Sequence, residues 1–238
     1  MQSNFKARAI ENKKKGMAAL KGTFFGNLFW QSKQDKKDDA IEFFKQAANC
    51  YKLDKSYDEA VEMYLKCAEC ESDEGFKANF YKDAANAIKS IDTDRYIQLT
   101  KDSIKLFSIA GRTGQACTMA KDAAEKLEEE YNYDLAREFY EEAAGLYEAD
   151  NATSYMNQCF GKWADLTILI GDKKEIAKVI KTYDKIGKKY LQKSLVRSSA
   201  TDYFFKASLC FLYNDDLPGA KNQIENYGYE DPGFDTSR

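Results

Sequence analysis

The sequence predicts an all-α protein, and three observations support that prediction. Only 2 of the 238 residues are proline and 13 are glycine, so long stretches are free of helix-breaking residues. No segment alternates apolar and polar residues over enough positions to indicate a sheet. Short helical units of similar sequence recur, as in proteins built from stacked helical hairpins. We therefore predict a right-handed solenoid of tetratricopeptide-like antiparallel helical hairpins, forming one domain over residues 1–238.

The clearest repeated unit is Asp134–Tyr147, an amphipathic stretch rich in alanine and tyrosine. Its small residues and its tyrosines share one helical face, because positions three, four and seven apart lie on the same side of an α-helix. Asp38–Tyr51 repeats the pattern closely and Asp58–Ala68 repeats it weakly, at offsets of 96 and 76 residues, so the repeat is degenerate. We predict that these faces pack helix against helix.

Helix boundaries follow from the polar residues and glycines between the apolar patterns. The first helix is predicted from about Ser3 to Lys21. The later ones are predicted at about 36–53, 56–71, 75–90, 93–110, 113–131, 133–148, 152–170, 173–188, 197–213 and 216–227. Several of the short breaks contain good N-cap residues, and their spacing is that of antiparallel hairpins.

Composition also bears on location. No run approaches the roughly 18 consecutive apolar residues of a membrane-spanning helix, and Met1–Lys15 is charged and lacks a signal-peptide core. The six cysteines lie mostly within helical stripes, where a reduced thiol packs like a small apolar group. These features predict a cytoplasmic protein.

The residues offer little for catalysis. There is no histidine, which removes the commonest general base and the commonest zinc ligand. The pair Cys67-Ala-Glu-Cys70 lies within a repeated helix and has no second pair, and Gly111–Gly114 is too short to cradle a phosphate. We predict no enzyme activity, no cofactor, no metal site and no nucleic-acid partner.

Charge is distributed unevenly along the chain. Residues 1–37 hold nine basic and two acidic residues, a net of +7, and the remaining 27 basic and 37 acidic residues give −10. This asymmetry predicts that the N-terminal end meets an anionic surface.

An aromatic loop is predicted over residues 22–35. Two glycines break the helix there, and large apolar side chains follow them: Phe24, Phe25, Leu28, Phe29 and Trp30. The aromatic residues could fold back over the end of the solenoid. Alternatively, together with the flanking lysines they would combine apolar insertion with attraction to anionic lipid headgroups, and we favour this membrane-touching alternative.

Two segments carry a resemblance to a known family. Ser199–Cys210 strongly resembles a segment of the soluble NSF attachment proteins, the alpha branch especially. Phe24-Phe25-Gly26-Asn27-Leu28-Phe29 is similar to that family's N-terminal membrane loop, whose pattern is Phe-Phe-x-x-Leu-Phe. The resemblance implies an adaptor in vesicle fusion and intracellular trafficking. Family members line the outside of a four-helix SNARE bundle with a basic concave face and recruit the hexameric ATPase NSF, which pulls the bundle apart.

By position, the resemblance implies SNARE-binding roles for Arg112, Lys162 and Arg197. Two further lysines of the family are replaced here by Thr118 and Gln158, although a one-turn shift in alignment would make Lys121 a substitute. Without the resemblance, these basic residues read as ordinary solvated surface. The alternative function is a generic tetratricopeptide-type scaffold that captures a peptide.

The resemblance also implies where the protein acts. It predicts a cytoplasmic protein that is peripheral on membranes and binds their anionic surface. The family continues into a C-terminal helical bundle and an acidic tail that engages NSF, so that bundle is absent or only begun at Arg238. Either the chain is part of a longer protein or it is a shortened member. SNARE and membrane binding are therefore better supported than ATPase stimulation.

Overall fold

The computed structural model describes residues 2–22, 32–193, 197–231 and 233–234. These residues form eleven α-helices and one 3-10 helix. The α-helices are α1 (Gln2–Lys21), α2 (Lys33–Leu53), α3 (Tyr57–Cys70), α4 (Glu74–Ile88), α5 (Thr93–Ile109), α6 (Thr113–Glu129), α7 (Tyr133–Ala149), α8 (Thr153–Ile170), α9 (Ile176–Leu191), α10 (Ser198–Tyr213) and α11 (Leu217–Glu230). The 3-10 helix, Lys173–Glu175, precedes α9, and the described residues contain no strand. The all-α prediction is confirmed.

The predicted start of α2 is wrong, and the predicted ends of α9 and α11 each fall three residues short. The loop predicted over 22–35 ends earlier, because α2 begins at Lys33. Ser32 caps the helix: its hydroxyl accepts the backbone N–H of Asp35 at 3.1 Å, and the Asp35 carboxylate accepts the backbone N–H of Ser32 at 2.8 Å. This reciprocal capping box satisfies two donors that would otherwise lack partners, so the helix starts three residues before the predicted position. Phe24, Phe25, Leu28 and Phe29 lie outside the described residues.

The chain divides into two compact units, residues 1–120 and 121–238, with the division inside α6. In the first unit, each helix from α1 to α4 packs on the next one along the chain, and in the second unit each helix from α7 to α10 does the same. Because most of the connecting turns are short, consecutive helices run antiparallel. The predicted hairpins are therefore confirmed within each unit. A single continuous solenoid over 1–238 stays a prediction.

Ion pairs join helices two apart in the chain. In the first unit, Lys13 of α1 pairs with Glu62 of α3 at 2.9 Å, and Asp58 of α3 pairs with Arg95 of α5. In the second unit, such pairs join Glu128 to Lys162, Glu141 to Lys178, Asp165 to Lys206 and Lys188 to Glu230. Helices two apart therefore lie side by side within each unit. This is the arrangement of stacked hairpins.

One turn geometry recurs between helices. Besides Gly22 after α1, a residue with positive φ follows the helix end at six described positions: Lys55, Gly111, Tyr131, Asn151, Gly171 and Asp215. At each of them, the next backbone N–H donates to the carbonyl five residues back, as from Arg112 to Phe107 at 2.8 Å and from Asn132 to Leu127 at 2.8 Å. This is the Schellman closure of a helix. The turns at 111, 131, 151 and 171 lie 20 residues apart, so the degenerate sequence repeat hides a regular structural one.

The core is built from the repeated alanine–aromatic faces. In α7, Ala136, Ala143 and Ala144 are fully buried beside Phe139 and Tyr140. The equivalent alanines of α2 are also fully buried. Small residues let neighbouring helices approach closely, so the prediction that these segments pack helices is confirmed. All six cysteines are buried in helices, and burial raises the pKa of Cys67 to about 12.

Candidate functional site

Lys162, one of the three predicted SNARE-binding residues, lies in a cleft of the second unit. The cleft has a volume of about 270 Å³, and α6, α7, α8 and α10 contribute to its walls. Charged and polar side chains line it, among them Lys121, Glu125, Gln158, Lys162, Asp165 and Tyr203. The cleft results from the hairpin stacking. α6, α8 and α10 are alternate helices of the chain, and helices two apart lie side by side.

A fixed carboxylate holds Lys162 in place. Its Nζ lies 2.8 Å from Glu128 Oε1, and the Tyr140 hydroxyl donates to Glu128 Oε2 at 2.6 Å. Burial pushes the pKa of Glu128 upward, but the hydrogen bonds from Lys162 and Tyr140 outweigh it and leave that pKa below its ordinary value. Glu128 is therefore a carboxylate at neutral pH. The Lys162 side chain remains 50% exposed, so a partner can still reach it.

Lys121 also lines this cleft. Its Nζ lies 2.9 Å from Glu125 one turn away, and this hydrogen bond raises the pKa of Lys121. Gln158 also lines the cleft. Thr118 belongs to the first unit, where its hydroxyl donates to the Gly114 carbonyl at 2.9 Å. Lys121 lies one turn after Thr118, and its role as a substitute for the family lysine stays a prediction.

A second cleft of the same unit, of about 370 Å³, meets the first at Asp165. Lys206 lies 2.7 Å from the Asp165 carboxylate, which also accepts the Tyr183 hydroxyl at 2.7 Å. The Lys206 amino group lies 5.6 Å from the centre of the Tyr183 ring and 5.8 Å from that of Tyr203, within cation–π range. Sequence reasoning missed Lys206. The only signal was its place directly after the Tyr203-Phe204-Phe205 segment.

The Tyr-Phe-Phe segment divides its side chains between three environments. Tyr203 lines the first cleft, Phe204 is fully buried, and Phe205 is exposed. The Phe204 ring stacks on Tyr227 with centroids 4.1 Å apart, so it ties α10 to α11. One of the three aromatic residues is therefore a core residue, and only Tyr203 lies at the cleft.

Arg197 lies directly before α10 and pairs with the buried Asp231 at 3.5 Å. Its own side chain is 56% exposed. The described contacts place Arg197 beside Asp231 and do not bring it into either cleft. Arg197 and Lys162 are thus both partly exposed in the second unit.

Arg112 lies in the first unit, packed against the start of α4. Its guanidinium pairs with Asp73 at 3.4 Å and lies over the Phe76 ring, 4.9 Å from the ring centre. Gly75 makes room for it, since a Cβ at that position would stand 2.2 Å from Arg112 Nε. Arg112 therefore has a structural role in addition to any binding role. A common face for Arg112, Lys162 and Arg197 stays a prediction.

Comparison with known proteins identifies the family. The family model described as soluble NSF attachment protein, SNAP, matches residues 6–238. The human alpha-soluble NSF attachment protein is 30% identical over 220 residues, which cover 91% of this chain and 72% of the human protein. The chain belongs to the soluble NSF attachment protein family. The resemblance found in the sequence is thereby confirmed.

Other members of the soluble NSF attachment protein family match to a similar extent. A protein of Neurospora crassa named probable vesicular-fusion protein sec17 homolog is 32% identical over 219 residues, covering 90% of this chain and 72% of that protein. The bovine beta-soluble NSF attachment protein is 29% identical over 236 residues, covering 98% of this chain and 76% of its own length. These relatives carry the names of attachment and fusion proteins rather than of enzymes, in agreement with the prediction that the chain is not an enzyme.

Proposed function

We propose that this protein is an adaptor in vesicle fusion that binds assembled SNARE bundles and recruits an NSF-type ATPase to them. The observation that carries the proposal is the row of lysines along the joined clefts of the second unit. Lys121, Lys162 and Lys206 have side chains 27%, 50% and 43% exposed. The names of the relatives, NSF attachment protein and vesicular-fusion protein, support the same role.

The chemistry of the clefts suits an acidic helical partner. Ammonium groups attract carboxylates with little demand on geometry, so they accept many acidic sequences. The attraction of these charges also speeds encounter with the partner, and it weakens as the salt concentration rises. The second cleft adds Ile168, Leu209 and Tyr213, whose apolar surface lies beside Lys206. A partner helix that carries acidic side chains next to an exposed apolar side chain would fit the two clefts.

Membrane association is the second part of the proposal. Among the described residues, no helix combines the length and the apolar character needed to cross a bilayer. We therefore propose a peripheral contact through the basic N-terminal segment and the aromatic residues Phe24, Phe25, Leu28 and Phe29. The net charge of +7 over residues 1–37 supports attraction to an anionic surface.

A pull-down with an assembled SNARE bundle tests the adaptor role. Lys121→Glu/Lys162→Glu/Lys206→Glu should lower the affinity by about a hundredfold or more, if each exposed interfacial charge contributes about 1 kcal/mol. Wild-type binding should fall as salt rises.

The matched control is Lys89→Glu/Lys105→Glu/Lys221→Glu, which makes the same change in net charge at exposed positions. Equal binding by the two triple variants would overturn the site assignment. An absence of wild-type binding to any assembled bundle would overturn the adaptor role itself.

A further inference from the structure

Among the described residues, one face of the first helix carries partly exposed apolar side chains. Small residues face α2: Ala9 and Ala19 are buried, and a Cβ at Gly16 would stand 2.6 Å from the Phe44 ring. The partly exposed face carries larger apolar side chains. Ile10 is 41% exposed, Met17 is 38% exposed, and Leu20 is 40% exposed.

A cleft of about 560 Å³ lies along this face. Ile10, Met17, Ala18 and Tyr51 form its apolar part, and Lys13, Lys14 and Lys21 border it. Lys14, Met17 and Lys21 are three and four residues apart, so they follow one another along one side of the helix. The cleft thus has an apolar floor with cations at its edge.

The three lysines are not equivalent. Lys13 is occupied, because its Nζ lies 2.9 Å from both carboxylate oxygens of Glu62. In the described part of the chain, no carboxylate lies within ion-pair distance of Lys14 or Lys21. Within residues 2–22, 32–193, 197–231 and 233–234, an incoming anion would therefore displace no carboxylate from these two amino groups. This differs from the clefts of the second unit, where each lysine already has a carboxylate.

We propose that this α1 cleft binds an anionic phospholipid of the membrane. The lipid phosphate would lie between the amino groups of Lys14 and Lys21, and the upper part of an acyl chain would cover Ile10 and Met17. Charge complementarity argues for this occupant, since Lys14 and Lys21, which have no ion pair with any described carboxylate, border an apolar floor. An amphipathic helix with lysines beside exposed apolar residues is suited to the headgroup–acyl boundary. The proposal rests on the membrane association proposed above and gives it a defined lipid site apart from the aromatic loop.

Vesicle cosedimentation provides the main test, with phosphatidylcholine vesicles prepared with and without phosphatidylserine. Lys14→Glu/Lys21→Glu should weaken binding to the anionic vesicles by about thirtyfold or more, since each basic residue near such a surface contributes about fivefold. Lys89→Glu/Lys105→Glu is the matched control in the same unit and should change binding much less. Ile10→Ser/Met17→Ser should weaken binding severalfold and leave its salt dependence unchanged.

A soluble probe separates the cleft from the loop. Dihexanoyl-phosphatidylserine below its micellar concentration should bind the wild type and Phe24→Ser/Phe25→Ser equally, and should fail to bind Lys14→Glu/Lys21→Glu. Dihexanoyl-phosphatidylcholine should bind the wild type much more weakly, because its choline offsets the charge of the phosphate. Circular dichroism melting of each variant confirms that the helices are intact.

The outcomes distinguish the two proposals. If neither the wild type nor any variant binds anionic vesicles, the proposal of membrane association is itself wrong. If the wild type binds but Lys14→Glu/Lys21→Glu behaves like its control, membrane association stands and the lipid cleft is overturned. If Lys14→Glu/Lys21→Glu keeps its vesicle binding and loses SNARE-bundle binding, the cleft takes an acidic protein, which also overturns the lipid assignment.

Discussion

The lysines of the second-unit clefts and those of the α1 cleft differ in what already neutralises them. Lys121, Lys162 and Lys206 each lie 2.7–2.9 Å from a carboxylate of their own chain. Lys14 and Lys21 have no such partner among the described residues. A partner at the second unit must therefore share or displace an existing ion pair, so weak anions gain little there. At the α1 cleft, an anion would bind Lys14 and Lys21 without displacing any described ion pair.

The packing beneath these two surfaces is the same. In the first unit, Gly16 of α1 receives the Phe44 ring of α2, and in the second unit Gly187 of α9 receives the Phe204 ring of α10. Both rings are fully buried. The contrast between the surfaces therefore comes from side-chain charge and not from a different scaffold. This lesson leads to three predictions, given from the largest expected effect to the smallest.

Alanine at either packing glycine tests the shared scaffold. A Cβ at Gly16 or at Gly187 would stand 2.6 Å from the nearest ring carbon, so Gly16→Ala and Gly187→Ala overpack the hairpin. We expect each to lower the free energy of unfolding by about 1–3 kcal/mol. Gly145→Ala is the control, because nothing lies within 4 Å of a Cβ there, and it should raise that free energy by up to about 1 kcal/mol. Urea denaturation measures all three, and a stabilised Gly187→Ala would contradict the shared packing.

Alkaline titration tests the scaffold a second way. Burial raises the pKa of Tyr64 in the first unit and of Tyr203 in the second to about 12, above the value of about 10 in an unfolded chain. The folded state thus holds these protons more tightly. The resulting stability is fully present below pH 10 and is lost as the pH rises to 12.

The free energy of unfolding from urea denaturation should fall between pH 9 and 12 as tyrosinate absorbance rises. The expected loss is up to about 2 kcal/mol for each buried phenol. Tyr64→Phe should flatten this decline, although it also removes the hydrogen bond to Asn49 at 2.9 Å. Tyr131→Phe, at a side chain 78% exposed, is the control and should not change the slope. Full ionisation of the buried tyrosines before unfolding would contradict the prediction.

Removing a counter-ion sharpens the contrast in charge. Glu128→Gln takes the partner from Lys162, so the lysine should bind an acidic SNARE bundle about two- to fivefold more tightly, in line with the energy of a partly exposed ion pair. Glu129→Gln makes the same change in net charge at a neighbouring exposed residue and is the control. Affinities from fluorescence anisotropy decide between them. Weaker binding by Glu128→Gln would mean that the carboxylate positions Lys162 for its partner rather than competing with it.

Much of the scaffold could be predicted from the sequence. The alanine faces of Asp38–Tyr51 and Asp134–Tyr147 indicated helix packing because their period is local, and both are buried as expected. The start of α2 was missed by three residues, because the Ser32 capping box precedes the apolar pattern. The regular spacing of turns was also hidden, since Tyr131 and Asn151 adopt positive φ where glycine would have marked the turn.

The sites were harder to predict, because charge pairing depends on how helices stack. Lys13 and Glu62 are 49 positions apart in the chain, and Lys206 and Asp165 are 41 apart. No local pattern shows which lysine keeps a partner and which does not. The sequence indicated a basic N-terminus but could not single out Lys14 and Lys21 within it. It also treated Arg112 as a surface cation, whereas the guanidinium packs over Phe76.

The evenly spaced turns have a consequence for how such a chain can change in evolution. Because the turns at 111, 131, 151 and 171 recur every 20 residues with the same hydrogen-bond closure, a segment cut at two alternate turns is a complete hairpin with both ends already sealed. Copying or deleting that segment leaves every remaining turn intact and changes only the number of modules. Gene duplication could therefore lengthen this fold without inventing a new junction.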